Sequence, residues 1–331
     1  MTAAPVTLVP LVPLDQVAPD LAPLLAAFRA AGAVSFQDLP LLEVRANYLK
    51  SCKANGLPWQ EVAAVDTIEC PVEDGSSIGL RLYRGHGIPA DKASRVIFFI
   101  HGGGWAIGNL DSHDPLCRTL ANHTASTVIA VDYRLAPEYK FPTPLNDCRD
   151  ALAYIVARAA QLELDVSQMV VTGDSAGGNM ATVLANRTDY RPAGFLFAGQ
   201  VLLYPVTDLA CTGASYARIT SGFPLTAATM HWFRDLYLDA DADVGSDLLS
   251  PLRAASEQPQ PPMFIVTAGL DPLADEGIAY AAKAARAGTR VIHHHLPNHM
   301  HGIFTSAGKV ETGRTMLEVA ARFVRALWQG I

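Results

Sequence analysis

The sequence predicts an α/β fold, with a mostly parallel central sheet covered by helices on both faces. Half of the 331 residues are hydrophobic and only 17% are charged, a balance suited to strands buried on both sides. From Arg95 onward, short apolar runs alternate with helical patterns in the βαβ rhythm of parallel sheets. The length also exceeds the size at which one core usually stops growing, so a smaller unit is expected beside the main domain.

Two helical patterns open the chain, near Asp20–Ala31 and Leu41–Ala54, with a break at Gly32 and Pro40. A strand pair follows between Val65 and Arg84, because Asp74-Gly75 is a hairpin signal and Ile78, Leu80 and Leu82 alternate beyond it. Sheet strands are then expected at Val96–Ile100, Thr127–Val131, Met169–Thr172, Gly199–Leu203, Met263–Thr267 and Arg290–Leu296. Helices are expected at Pro115–His123, Asp147–Ala160, Ala176–Arg187, Pro272–Ala287 and Gly308–Trp328, and right-handed crossovers place them on both faces. Residues 207–255 break this rhythm, with Gly213, Gly222, Pro224, the aromatic run Met230–Phe233 and the acidic stretch Asp239–Asp243. They read as an insertion that joins the N-terminal helices in a small helical cap above the carboxyl edge of the sheet, where α/β folds bind ligands. The expected organisation is thus 1–55 as the N-terminal part of the cap, 56–206 as the first part of the main domain, 207–255 as the cap insertion and 256–331 as the remainder.

The formal charge is −7 with no basic cluster, so the footprint for a nucleic-acid backbone is missing and no such partner is expected. No basic segment precedes Arg29, and Pro5, Pro10, Pro13 and Pro19 interrupt any helix at the start, so no signal peptide is expected. No apolar run reaches the roughly 20 residues of a membrane span. Cys52, Cys70, Cys117, Cys148 and Cys211 are odd in number, scattered and never in a C-x-x-C pair, which suits a reduced, cytoplasmic protein.

Two glycine-rich turns carry chemistry. Val170–Met180 places Gly173-Asp-Ser175-Ala-Gly177, a G-x-S-x-G run, between an apolar strand and a helix. The turn lifts Ser175 to a helix N-terminus, where the peptide dipole favours developing negative charge. A turn that only packs a helix tightly on a strand is the structural alternative. His101-Gly102-Gly103-Gly104-Trp105, at the end of another strand, is the run that supplies an oxyanion hole in lipases and esterases. Three glycines free the backbone to aim amide hydrogens at one point, and Gly102, Gly103 and Ala176 are the expected donors. His101 is expected to hold the loop by hydrogen bonds. A phosphate cradle is not expected: no G-x-x-x-x-G-K-[ST] occurs, and Gly85-His-Gly87 leads into a polar loop. No cofactor is implied.

Chain order Ser, acid, His belongs to α/β-hydrolase triads. Asp271 follows the strand Met263–Thr267 and is the expected acid, with an N-cap role before Pro272 as its structural alternative. Asp275 is its rival, better suited to the first helical turn. Among His293, His294, His295, His299 and His301, the first three fall on a strand, while His299 and His301 are expected in the loop after it. His301, beside Gly302, is favoured as the base. Such a cluster also invites a metal, but no H-E-x-x-H or C-x-x-C accompanies it, so no metal site is expected.

Together these residues resemble the bacterial hormone-sensitive-lipase-like (family IV) esterases of the α/β-hydrolase fold, which carry an HGGG loop and a GDSAGG elbow. Further landmarks are Val131–Glu138 with Phe141-Pro142 and Asp147, Leu249–Leu252, Asp271–Asp275 and His301-Gly302. The resemblance covers roughly residues 80 to 305, with a weaker echo in Leu41–Arg45. It implies a serine carboxylesterase with Ser175, Asp271 and His301 as triad, Gly102, Gly103 and Ala176 as oxyanion donors, a helical cap and short-chain ester substrates. Trp105 and, from the cap, Phe223, Leu225, Met230, Trp232 and Phe233 are candidate pocket walls, the cap residues being equally suited to the cap's own core. A non-catalytic protein that encloses a small ligand on the same fold, and an amidase or acyltransferase with the same triad, are the alternatives. The last strand, near residue 290, can pair with a second copy to give a homodimer.

Overall fold

The protein is described here from a computed structural model that covers residues 11–255 and 258–331. Expectations resting on Pro5 and Pro10, on the first residues of the N-terminal cap segment, and on the start of the 256–331 segment lie outside the described residues.

Helices α1 (Ala22–Ala30) and α2 (Leu41–Asn55) come first, followed by the antiparallel pair β1 (Ala64–Pro71) and β2 (Ser77–Arg84). Gly75, with φ 87°, makes the turn between these strands at no steric cost. The alternating part then runs β3 (Ser94–Ile100), α3 (Asp114–Thr124), β4 (Thr127–Asp132), α4 (Thr143–Ala157), β5 (Leu164–Asp174), α5 (Ala176–Asn186) and β6 (Gly199–Leu203). A short helix α6 (Ala214–Arg218) and helix α7 (Ala227–Tyr237) interrupt it before β7 (Met263–Leu270), α8 (Ala274–Arg286), β8 (Val291–Met300) and α9 (Glu311–Gln329). The eight strands form one sheet in the order β1-β2-β4-β3-β5-β6-β7-β8, parallel from β4 onward.

The apolar strand runs are continuous because the sheet is buried twice. Val96, Phe98 and Ile100 enter one core together with Ile129, Val131 and Val171. Ile97 and Phe99 face the opposite core with Val128, Val170, Phe264 and Val266. Burial of each such side chain is worth roughly 1.5–3 kcal/mol. Among the described residues no helix is long and apolar enough to cross a membrane.

One boundary differs from expectation in a way that concerns the site. Strand β8 continues to Met300, so His299 lies on the strand and not in the loop after it. A register shift between Ala268 and Leu270 absorbs Pro297, whose missing N–H is tolerated because β8 is the edge strand. The two strands approach so closely there that a Cβ on Gly269 would lie 2.2 Å from the Pro297 carbonyl oxygen.

Above the carboxyl ends of the strands, the N-terminal helices meet the segment between β6 and β7. Arg29 of α1 donates to the carbonyls of Gly222 (3.0 Å) and Val12 (2.8 Å), and Phe36 sets its ring edge-on to Phe233 of α7 at 6.1 Å. The same segment is fastened to the body by Glu276 of α8, which accepts from the amides of Thr207 (2.7 Å) and Asp208 (3.1 Å) and from the Tyr216 hydroxyl (3.2 Å). Burial pushes the Glu276 carboxyl up to about 8.

The unfolded chain ionises Glu276 near the ordinary value of 4.5, the folded chain near 8. Between those values the unfolded state has released the proton and the folded state holds it, so this group's contribution to stability falls as pH rises through the window. Glu276→Gln is therefore expected to melt increasingly above the parent as pH goes from 5 to 8. A melting difference that stays constant across that range, read by circular dichroism, contradicts the assignment.

Candidate active site

Strand β5 passes into α5 through a turn with no room for side chains. A Cβ on Gly173 would lie 2.4 Å from the Gly177 carbonyl carbon, and one on Gly177 would lie 2.0 Å from the Ile100 carbonyl oxygen. Ser175 sits between them with φ 54° and ψ −119°, a left-handed conformation that costs a non-glycine residue of order 1–3 kcal/mol. Surrounding bonds hold it there. Its amide donates to the Leu203 carbonyl at 2.9 Å, and its own carbonyl accepts from Asn179 and Val206. Asn179 in turn donates from its side chain to the carbonyls of Val206 and Leu249, both at 3.0 Å.

Asp271 follows the last residue of β7 and is fully buried. One carboxylate oxygen accepts from the Leu273 amide at 2.9 Å, and the other lies 2.7 Å from Nδ1 of His301, the residue directly after β8. With Nδ1–H given to the carboxylate, the imidazole presents Nε2 as its acceptor. Gly302, at φ 88°, turns the chain beyond it. Tyr204 packs its ring against the imidazole with centroids 4.1 Å apart, and does so from φ 38°. Sequence reasoning missed Tyr204; its only signal was an aromatic residue directly after β6, at the carboxyl edge where ligands bind.

The other candidates are engaged elsewhere. Asp275, in the first turn of α8, accepts from the Ser215 amide at 2.7 Å. His299 Nε2 meets Asp20 at 3.1 Å, and Asp20 also accepts from the Thr312 amide, so this histidine ties the N-terminal segment to β8 and α9. His293 and His295 both reach Thr267 Oγ1, at 2.8 and 2.9 Å, and His294 lies against the Phe264 ring.

The oxyanion loop requires one correction. Gly102, expected as a donor, gives its N–H to Asp174 Oδ1 at 2.8 Å. The amides of Gly103 and Gly104, which line the cavity with Ser175, have no acceptor among the described residues. Their directions follow from the opposite ends of the same planar peptides. His101 Nδ1 donates to the Gly102 oxygen at 2.8 Å, which turns the Gly103 N–H away from it. Ala106 and Ile107 donate to the Gly103 oxygen at 3.1 and 2.9 Å, which does the same for Gly104. Burial pushes the His101 imidazole down to about 3, so the ring is neutral.

Ser175 and His301 open on one cavity of about 470 Å³. Apolar walls dominate it: Leu24 and Phe28 from α1, Phe36, Tyr48 of α2, Leu225, Met230 and Phe233 from the segment before β7, and Met300. Of the walls expected from sequence, Leu225, Met230 and Phe233 line the cavity, and Trp105, Phe223 and Trp232 do not. Trp105 is wholly buried and stacked on Tyr237, with centroids 4.5 Å apart. Phe223 is buried beneath the Arg29 guanidinium. Trp232 packs beside Phe233, while Met230 and Phe233, three apart on the same helix, face the cavity. Leu24 and Phe28, four apart on α1, carried a comparable periodic signal that sequence reasoning left unassigned.

Comparison with known proteins agrees with this architecture. The family model described as alpha/beta hydrolase fold matches residues 97–305. An ethyl acetate hydrolase of Pseudomonas putida is 35% identical over 297 residues, spanning 88% of this chain and 93% of the relative. The carboxylic ester hydrolase LipN of Mycobacterium tuberculosis is 35% identical over 296 residues, spanning 86% and 77%. Among solved structures, a hyperthermophilic esterase from the archaeon Pyrobaculum calidifontis superposes with TM-score 0.83 at 31% identity, covering 94% of this chain and 98% of that one. An α/β hydrolase from the metagenome of Lake Arreo superposes with TM-score 0.89 at 34% identity, covering 95% and 99%. The chain belongs to the α/β-hydrolase family, among the hormone-sensitive-lipase-like carboxylic ester hydrolases.

Proposed function

We propose that the chain hydrolyses small uncharged esters of short acyl chains through an acyl-enzyme on Ser175, with His301 as general base and Asp271 as the residue that orients it. The observation that carries this reading is the pairing of buried Asp271 with His301, 2.7 Å apart, the imidazole opening on the same cavity as a serine held in a left-handed turn. No hydrogen bond joins Ser175 to His301 in the resting structure; rotation of the serine side chain about its Cα–Cβ bond brings its hydroxyl toward Nε2, as catalytic contacts commonly tighten only with substrate bound.

His301 then removes the Ser175 proton as the oxygen attacks the ester carbonyl. Charge develops on the carbonyl oxygen, and the amides of Gly103, Gly104 and Ala176 receive it at the N-terminus of α5. His301 returns the proton to the departing alcohol, and water repeats the sequence on the acyl-enzyme. Apart from Asp174 and His301, no carboxylate, imidazole, ammonium or guanidinium lines the cavity among the described residues, which favours an uncharged substrate. In this reading residues 1–55 and 207–255 form the two parts of the cap, the remaining segments form the catalytic body, and the enzyme works in the cytoplasm.

Release of nitrophenol from p-nitrophenyl acetate or butyrate, exceeding that from the laurate, is the direct test. Ser175→Ala and His301→Ala are expected to lower kcat by about 10⁴-fold or more, and His299→Ala by less than about 10-fold. Near-parental turnover by Ser175→Ala, or a larger loss at His299 than at His301, refutes the assignment.

Gly104→Ala examines the corrected donor set. Its Cβ would meet the Phe233 ring at 2.2 Å, from a residue held at φ 56°. The N–H is retained but pushed out of place, so kcat is expected to fall by up to about 10²-fold, and parental kinetics contradict the role.

Among the described residues, strand β8 leaves one edge unpaired and exposes Ile292 on it. We propose that two copies pair along this edge. Sedimentation should then give twice the 35.4 kDa chain mass; a monomer at micromolar concentration argues against it.

A further inference from the structure

We propose that Asp174 and His113 form a clamp that closes both ends of the oxyanion loop onto the nucleophile turn, making them positioning residues for ester hydrolysis. The proposal rests on the reading of Gly103 and Gly104 as oxyanion donors.

Asp174 immediately precedes Ser175 and is only 3% exposed. Its Oδ1 accepts from the Gly102 amide at 2.8 Å, at the start of the loop. At the end of the same loop, Nε2 of His113 lies 3.1 Å from Oδ1 and 3.3 Å from Oδ2. One carboxylate thus gathers Gly102 and His113, eleven positions apart, beside the serine that attacks. His113 is itself held: its Nδ1 lies 2.9 Å from Ser112 Oγ, which donates to the Asn109 carbonyl at 2.7 Å and accepts from the Asn109 amide at 2.9 Å. The ring also packs against Phe99 and His101, with centroids 5.7 and 5.6 Å away.

Burial alone would push the Asp174 carboxyl up, yet the His113 ring and the Gly102 amide outweigh it and hold the group below its usual range. An ionised carboxylate only accepts hydrogen bonds, so both contacts are donations to it. The consequence for catalysis is geometric. With Gly102 N–H drawn to Asp174 and its oxygen held by His101, the peptide plane that carries the Gly103 amide is set relative to Ser175, and the next plane, carrying the Gly104 amide, continues from it with its oxygen held by Ala106 and Ile107. A Cβ on Gly102 would lie 2.3 Å from Asp174 Oδ2, so the approach of loop to carboxylate leaves no slack. Neither residue touches the substrate carbonyl in this account. Both act through where they keep Gly103 and Gly104.

His113→Phe preserves the ring contacts and removes the donor, whereas His113→Gln retains an N–H that can reach the carboxylate. For His113→Phe, kcat is expected to fall about 10- to 100-fold with KM within about threefold of the parent, and the Gln variant to recover most of the loss. A trifluoromethyl ketone, whose serine adduct carries an oxyanion, should bind His113→Phe more weakly by the same factor, while the corresponding methyl ketone binds both alike. Parental kcat in His113→Phe, a rise in KM alone, or a Gln variant no better than Phe overturns the clamp. If circular dichroism shows His113→Phe unfolded, Ser112→Ala carries the test: it frees Nδ1 and should lower kcat and ketone affinity severalfold at unchanged KM, and parental values there overturn the clamp. Failure of the parent enzyme to hydrolyse any p-nitrophenyl ester would instead strike the underlying functional reading.

Discussion

The site depends on the contact between two glycine-rich turns, one after β5 and the other after β3. Gly177 approaches the Ile100 and His101 carbonyls so closely that any side chain would collide with them, the former at 2.0 Å. That contact sets the start of α5 directly beside the loop that carries Gly103 and Gly104. Because β3 and β5 are adjacent and parallel in the middle of the sheet, both turns stand on strands whose side chains are packed on either face. The serine can occupy a left-handed conformation only because this packing over-determines it. Strain at one residue is offset by two cores.

Asp271 and His301 arrive from the other side of Ser175, after β7 and β8, the last two strands of the sheet. Their loops differ in character. Asp271 is wholly buried, with each oxygen engaged, whereas His301 lies on the cavity wall with Tyr204 against its face. A fixed carboxylate and a ring confined on one face leave the imidazole few orientations, which suits the proposed role of His301 as a base that reorganises little during proton transfer.

Much of this was readable from the chain. The strand runs and their connecting helices followed from apolar periodicity, since a doubly buried sheet leaves continuous hydrophobic segments. Ser175, Asp271 and His301 stood out because turn chemistry restricts which residues can occupy strand ends. What escaped was decided by tertiary contacts. Gly102 and Gly104 are indistinguishable in sequence, and only the Asp174 carboxylate, by taking its N–H, removes Gly102 from the proposed donor set. His299 appeared to be a loop residue because Pro297 reads as a strand end, while the edge position of β8 and a register shift let the strand continue. Trp105 and Phe223 looked like pocket walls because large aromatics suit that role, yet Tyr237 and Arg29 cover them. Beside Leu225, Met230 and Phe233, the cavity is bounded by α1 and α2 residues whose helical spacing is equally typical of an ordinary packed face.

A crystal structure of the protein after reaction with an alkyl p-nitrophenyl phosphonate would address the catalytic geometry in one measurement. Phosphorus is expected on Ser175 Oγ, with the phosphoryl oxygen within about 3 Å of the Gly103, Gly104 and Ala176 amides, the Gly102 amide still bound to Asp174, and His301 Nε2 facing an ester oxygen. Phosphorus on another residue, or a phosphoryl oxygen turned away from Gly103 and Gly104, would contradict it.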